Sequence, residues 1–186
     1  IYNVFKQLEK EGFEVTYLQL NESGRITLDD LQNAIKSTTI LASIQYINGE
    51  TGMIQPLEQI GTILYENNVV FHTDCVQAFG NVRIDVKKYH IDSLSISSHK
   101  IYGPKGTGLA YVNPRIDWAE QVKNTTHESG FRPGTVDVPS ILSFTAAGQM
   151  AERLREEKQD KMHQLRYYFI KKLTEEITDF NLYASS

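Results

Sequence analysis

Cysteine is almost absent from this chain: Cys75 is the single one in 186 residues. One thiol excludes an intrachain disulfide and points to a reducing compartment, so a cytoplasmic protein is expected. It also argues against structural zinc, because His72, Asp74 and Cys75 offer one thiolate at the wrong spacing, and no metal is expected. Long apolar runs are missing too. No stretch reaches transmembrane length and the first residues show no basic-then-apolar leader pattern, so no membrane partner is expected. Charge of one sign is also lacking: Lys and Arg number 19 against 23 Asp and Glu, for a net charge of −4. That balance gives no electrostatic reason for a nucleic-acid partner. Internal repeats and low-complexity tracts are absent as well, which excludes solenoid and disordered classes.

What the chain does have is 40% hydrophobic residues, enough to fill a core at this length. Strand and helix patterns alternate along it. Residues 1–11 read as a helix stopped by Gly12, 13–20 as a strand, and Asn21-Glu22-Ser23-Gly24 as a turn. Residues 28–36 read as a helix capped by Thr27, with Asp29 and Asp30 suiting the dipole of its first turn. Then follow a strand at 39–47, a helix at 56–67, a strand at 69–75, a helical turn at 86–89, and strands at 93–97 and 108–112. From Pro139 onward the chain reads as helical with a break near 158–160, and Met162, Leu165, Phe169 and Leu173 form a packing stripe. Repeated strand–helix–strand order implies an α/β fold with a doubly wound, mostly parallel sheet.

Chemistry concentrates at two of the predicted strand ends. Ser97-Ser98-His99-Lys100-Ile101 follows an apolar run and leads into Tyr102-Gly103-Pro104-Lys105-Gly106-Thr107-Gly108. A lysine there, beside hydroxyl and imidazole groups and at the mouth of a low-dielectric strand end, suits imine chemistry. Upstream, Phe71-His72-Thr73-Asp74-Cys75-Val76-Gln77 closes another apolar strand with a carboxylate. A carboxylate in such a place is costly unless it meets a cation, and strand carboxyl ends in open α/β sheets are where ligands bind. Lysine and aspartate on two such ends match what pyridoxal 5'-phosphate requires: an amine to hold the aldehyde, and an acid partner for the pyridine nitrogen. Gly103, Gly106 and Gly108 permit a sharp turn after the lysine, but Lys105 lacks P-loop spacing. Strand alternation puts His72 on the face of Asp74, as its orienter, a ligand or a core residue, and turns Cys75 away into the core, where a thiol is inert.

Four ordered motifs carry a resemblance: Asn48-Gly49-Glu50-Thr51-Gly52 with Gln55-Pro56; His72-Thr73-Asp74-x-x-Gln77; Ser97-x-His99-Lys100-Ile-Tyr-Gly-Pro-Lys-Gly; and His127-Glu128-x-Gly130-x-Arg132-x-Gly134-Thr135. Together they resemble the class V aminotransferase superfamily, and within it the cysteine desulfurases of the nitrogen-fixation and iron–sulfur-assembly group. The resemblance implies the large domain of a fold type I pyridoxal-phosphate enzyme, with Lys100 as catalytic residue and imine-forming amine. It implies Asp74 at the pyridine nitrogen, Gln77 at the phenolic oxygen, and Ser97 and His99 at the phosphate. Thr135 would reach the phosphate across a homodimer interface, and Arg132 would shape that loop.

The implied reaction takes L-cysteine to L-alanine and passes sulfur to an enzyme cysteine, for iron–sulfur clusters or thio-cofactors by way of a sulfur-acceptor or scaffold protein. A selenocysteine lyase or class V aminotransferase would share every motif, and a non-catalytic scaffold keeping the fold is the reading from another class. The resemblance further implies an internal fragment truncated at both ends, with residues 1–138 in the cofactor domain and 139–186 leading to a small C-terminal domain. Two positions depart from the pattern. Glycine, Gly49, stands before Glu50 where asparagine is usual, so that either Asn48, one position earlier, is re-aimed to that contact with the cofactor, or the contact is absent or replaced by water. Ser98 stands where glycine is common.

Overall fold

The computed structural model describes residues 1–120 and 122–182. Four strands form one sheet in chain order: β1 (Leu41–Ser43), β2 (Val70–Asp74), β3 (Ser93–Ser97) and β4 (Gly108–Val112). The first three run parallel and β4 returns antiparallel to β3. A glycine-rich turn, not a crossover, joins β3 to β4, and only antiparallel strands can be joined so tightly. The expected α/β class and parallel-dominated sheet are what the chain forms.

Alternation along β2 and β3 decides the layering. In both, buried and half-buried positions follow one another strictly. The register places Phe71, Thr73, Leu94 and Ile96 on one face, and His72, Asp74, Ser93, Ser95 and Ser97 on the other. Helix α3 (Leu57–Glu66) covers the apolar face, burying Leu57, Ile60, Ile63 and Leu64. Gly61 is what lets it approach. A Cβ there would fall 1.8 Å from the Tyr89 carbonyl oxygen and 3.5 Å from the Phe71 ring.

Helix α4 (Val138–Arg153) packs on the same face nearer β4, where its buried Phe144 meets the Phe79 ring edge-on with centroids 6.5 Å apart. Between them Ile96, Leu109, Phe144 and Gly148 line an open apolar groove of about 610 Å³. Since β1, β2 and β3 step across the sheet in one direction, right-handed crossovers deliver their connections to one face. At the opposite end of the sheet Asp92 is buried, accepting the Phe71 N–H at 3.0 Å and, from Arg115, Nε and Nη2 at 2.5 Å each. That charge-assisted fork ties β2, β3 and the chain leaving β4 together.

Helix α1 (Tyr2–Lys10) stops where Gly12 takes φ +97°, and α2 (Leu28–Ala34) starts from Thr27, whose Oγ1 accepts the Asp30 N–H at 3.0 Å. Both ends follow the sequence expectation. The strand expected at 13–20 does not form. These residues join no ladder; Tyr17 packs back on α1, its ring 5.5 Å from that of Tyr2 and 4.6 Å from Lys6 Nζ, while Leu18 packs against the core and Glu14 pairs with Lys36.

The strand expected at 39–47 shortens to β1, although the Ile44 and Tyr46 N–H groups still donate to the His72 and Asp74 carbonyls. The helix break expected at 158–160 lies instead at Leu154, between α4 and α5 (Arg155–Glu176). At 158–160 the helix continues and its side chains tie it to the domain: Lys158 Nζ donates to Asn81 Oδ1 at 2.8 Å, and Gln159 Nε2 to the Asn81 carbonyl at 2.6 Å. Residues 177–182 carry no helix, and the part of the 139–186 segment at 183–186 lies outside the described residues.

Candidate active site

The carboxyl ends of β1, β2 and β3 lie side by side, and each hands its chain directly to a turn that carries polar groups. Asp74, half-buried, is the last residue of β2, paired in register with Ser95 of β3. Its Oδ1 accepts the Val76 N–H at 2.9 Å, and Oδ2 has no partner among the described residues. Gln77 follows within the same turn. Its backbone carbonyl accepts Asn81 Nδ2 at 2.9 Å, while its side-chain amide makes no hydrogen bond among the described residues.

β3 ends at Ser97, and residues Ser98–Ile101 form a single 3₁₀ turn closed by Tyr102 at φ 67°. The turn folds His99 back so that its Nδ1 lies 2.8 Å from Ser97 Oγ. Hydroxyl and imidazole are thus held together at the strand end, two groups of the kind that can bind a phosphate. Lys100 is exposed on this turn. The low-dielectric setting expected from a strand-end lysine is therefore not supplied by the described residues, because the chain leaves the sheet at Ser97, before the lysine.

Ser98 explains the glycine after it. Its hydroxyl is buried without a partner, and a Cβ on Gly103 would fall 2.1 Å from that oxygen. The turn that presents Lys100 closes only because position 103 has no side chain.

β1 delivers the third element. Asn48 opens a tight loop in which its N–H donates to the Met53 carbonyl at 3.0 Å. Asn48 Oδ1 accepts the Glu50 N–H at 2.9 Å, the Thr51 N–H at 3.0 Å and the Thr51 hydroxyl at 3.3 Å. This is side-chain capping of a turn, and it holds Asn48 to its own loop. Gln55, in the same motif, is structural: it is buried, accepting the Ile26 N–H at 3.1 Å and donating to the Gly24 carbonyl at 3.0 Å.

His72 does not orient Asp74 through a hydrogen bond. Its Nδ1 lies 2.7 Å from Ser43 Oγ across the β1–β2 ladder. Burial lowers its pKa from the ordinary histidine range, outweighing the attraction of the Asp74 charge. Cys75 lies fully buried on the apolar side, and burial pushes its thiol up to about 12. It is a core residue, as alternation required. Thr135 is not brought to this cluster by any hydrogen bond among the described residues; it is exposed on the loop between β4 and α4. In that loop Glu128 and Ser129 take φ 50° and 55° ahead of Gly130.

The donor set fits pyridoxal phosphate. A carboxylate with one open oxygen, an unpaired amide, a hydroxyl–imidazole pair and an exposed primary amine lie at or just after the carboxyl ends of two adjacent strands, β2 and β3. Sequence reading saw that Gly103 permits a sharp turn after the lysine but not why glycine is required there, because that depends on where Ser98 points.

Comparison with known proteins agrees in kind. The sequence model of the aminotransferase class-V family matches residues 2–186. A putative cysteine desulfurase NifS of Bacillus subtilis (strain 168) is 43% identical over 170 residues, covering 91% of this chain and 43% of that protein. The mitochondrial cysteine desulfurase of Candida albicans is 47% identical over 161 residues, 85% of this chain and 32% of its own length. Among solved structures, a NifS-like protein superposes with a TM-score of 0.88 at 31% identity, over 94% of this chain and 48% of that one. SspA in complex with cysteine gives 0.76 at 39% identity, over 80% and 43%. The chain thus spans less than half the length of the curated relatives it matches.

Proposed function

This chain belongs to the class-V aminotransferase family, and on that premise we propose that the protein carrying it is a pyridoxal-phosphate-dependent cysteine desulfurase. What supports the reading is that β2 and β3 are parallel neighbours whose carboxyl ends carry Asp74 and Ser97, with His99 and Lys100 on the turn that follows Ser97. The cysteine-bound relative and the desulfurase names of the others support cysteine as the substrate. The overall exchange balances: L-cysteine and an enzyme thiol give L-alanine and an enzyme persulfide, the C–S bond breaking as the S–S bond forms. When bound, pyridoxal phosphate supplies the electron sink for charge developing at the amino acid's Cα.

The chain's own residues divide the remaining work. Asp74, fixed by the Val76 N–H, turns its open oxygen to the pyridine nitrogen and keeps a proton there. Ser97 and His99 hold the phosphate, and the Gln77 amide meets the ring oxygen. Lys100, on a turn set by Ser98 and Gly103, holds the cofactor and moves the proton at Cα. Cys75 is not the sulfur acceptor, since a thiol held near 12 in the core is neither ionised nor accessible. The acceptor thiol therefore lies outside this chain, in which Cys75 is the sole cysteine.

The same reading makes the protein a cytoplasmic homodimer in which Thr135 reaches a partner's phosphate, with sulfur passing to an acceptor protein for iron–sulfur clusters. Residues 1–138 form part of its cofactor domain, and 139–186 lead toward a further domain.

Borohydride reduction of the protein with pyridoxal phosphate, followed by peptide mass mapping, tests the reading. The expected result is a phosphopyridoxyl mass on Lys100 that Lys100→Ala removes while the circular dichroism stays native. A label retained in that variant refutes the assignment.

A further inference from the structure

The turn that carries Lys100 ends on a ring that touches nothing in this chain. Ile101 anchors the turn inward: it is buried, and Cβ atoms built on Gly80 and Gly148 would lie 3.1 Å from its Cγ2 and 4.0 Å from its Cδ1. Tyr102, the next residue, faces solvent. It is 92% exposed, more than any other large hydrophobic or aromatic residue among those described, and its side chain makes no hydrogen bond or ring contact among them. Its backbone sits at φ 67°, a left-handed place that glycine fills at least cost and that is unusual for a bulky residue. The other ring at positive φ, His90, stacks on Tyr65 at 4.4 Å, so its conformation has a contact to offset it. Tyr102 has none.

A second exposed aromatic group lies on the loop between β4 and α4. Phe131, 50% exposed, and Trp118, 37% exposed, meet edge-on with ring centroids 5.5 Å apart. Phe131 stands four residues before Thr135.

We propose that Tyr102 is the anchor of a contact between two copies of the protein, seated on the other copy's Phe131 and Trp118. This rests on the reading above, in which Thr135 reaches the phosphate that the other copy holds at Ser97 and His99. Four residues of chain span at most about 14 Å, and the three from His99 to Tyr102 at most about 11 Å. The loop that delivers Thr135 therefore also brings Phe131 to the neighbourhood of Tyr102. Two-fold symmetry makes the contact twice. A tyrosine held outward by a buried neighbour and a left-handed backbone is pre-organised, so little freedom is lost when it docks.

The test uses the full-length protein. Sedimentation velocity over a dilution series compares the parent with Tyr102→Gly, which suits the left-handed backbone, and Tyr102→Phe, which keeps the ring. Tyr102→Gly is expected to raise the dimer dissociation constant about a hundredfold, tenfold for each of two contacts, while Tyr102→Phe dimerises like the parent. Pyridoxal phosphate affinity in Tyr102→Gly is expected to fall at low protein concentration and return to the parent's at high concentration, because only the dimer brings Thr135 to the phosphate. A purely structural role for Tyr102 would give no such recovery. Hydroxyl-radical labelling of Tyr102 in the parent is expected to drop as the dimer forms, and it decides the matter if Tyr102→Gly fails to fold.

An unchanged dissociation constant in Tyr102→Gly, a monomeric parent, or equal labelling of Tyr102 in monomer and dimer overturns the proposal. Protection already present in the monomer also overturns it, since another part of the same protein is then the cover. If Lys100 takes the borohydride label in those cases, the cofactor reading stands. A parent without that label overturns the cofactor reading and this contact together.

Discussion

The two faces of β2 and β3 are made by the same backbone and differ in every other respect. One carries Phe71, Thr73, Leu94 and Ile96, all buried; the other carries His72, Asp74, Ser93, Ser95 and Ser97, all half-buried. The first is where the fold gets its stability. Apolar area removed from water there is worth roughly 25 cal/mol per Å², and α3 is pressed so close that a methyl group on Gly61 does not fit. The second face carries short polar side chains that add little burial and keep the strand ends accessible. Their chemistry is used only where the strands stop, at Asp74 and Ser97. An open, mostly parallel sheet separates these tasks by construction. Side chains in the middle of a strand pack, and those just beyond its carboxyl end meet ligand.

Glycines sharpen the same contrast. Gly61 faces rigid backbone, the Tyr89 carbonyl oxygen, whereas Gly49 faces the flexible end of Gln77. Both are too close to a neighbour for a side chain, but only at Gly61 is that neighbour backbone, which cannot turn aside.

The largest expected break is on the apolar face. Phe71→Ala removes a fully buried ring beneath α3 and is expected to cost about 3–5 kcal/mol in chemical denaturation, with the m-value unchanged. A loss below about 1 kcal/mol would show that this face is not the core.

A pH experiment addresses the boundary between the faces. His72 is neutral and its pKa is lowered by burial, so the unfolded chain takes up a proton near 6.5 that the folded protein resists. The unfolded state then binds more protons, and stability present above pH 6.5 is lost as pH falls below it. His72→Gln keeps a partner for Ser43 and is expected to flatten that part of the acid-side decline in melting temperature. An identical decline in the variant would assign the loss to other groups.

The smallest effect is expected from Ser95→Ala, mid-strand on the polar face and half-buried. Its melting temperature is expected to match the parent's to within the shift produced by about 0.5 kcal/mol. A large loss would mean that this face is packed more tightly than its burial indicates.

The sequence alone determined a good deal. Apolar runs ahead of Asp74 and Ser97 identified β2 and β3, and strand alternation placed Cys75 in the core, because a period of two leaves no choice of face. Thr27 and Gly12 marked helix ends because capping is local chemistry. The cluster of Asp74, Gln77, Ser97, His99 and Lys100 was legible because each residue sits beside its own strand end, and parallel neighbours bring those ends together.

Tertiary structure decided the rest. Residues 13–20 have a strand-like pattern and form no strand, since a ladder needs a neighbouring edge and none of them pairs with one; Tyr17 packs on α1 and Leu18 on the core instead. At 158–160, where a break is expected, the helix continues and is tied to Asn81, a residue distant in sequence. Lys100 looked buried and is exposed, because β3 ends three residues earlier. Asn48 and Gln77 have the same functional group; that one amide is bound by its loop and the other is poised over Gly49 depends on distances across the fold, which no local pattern encodes.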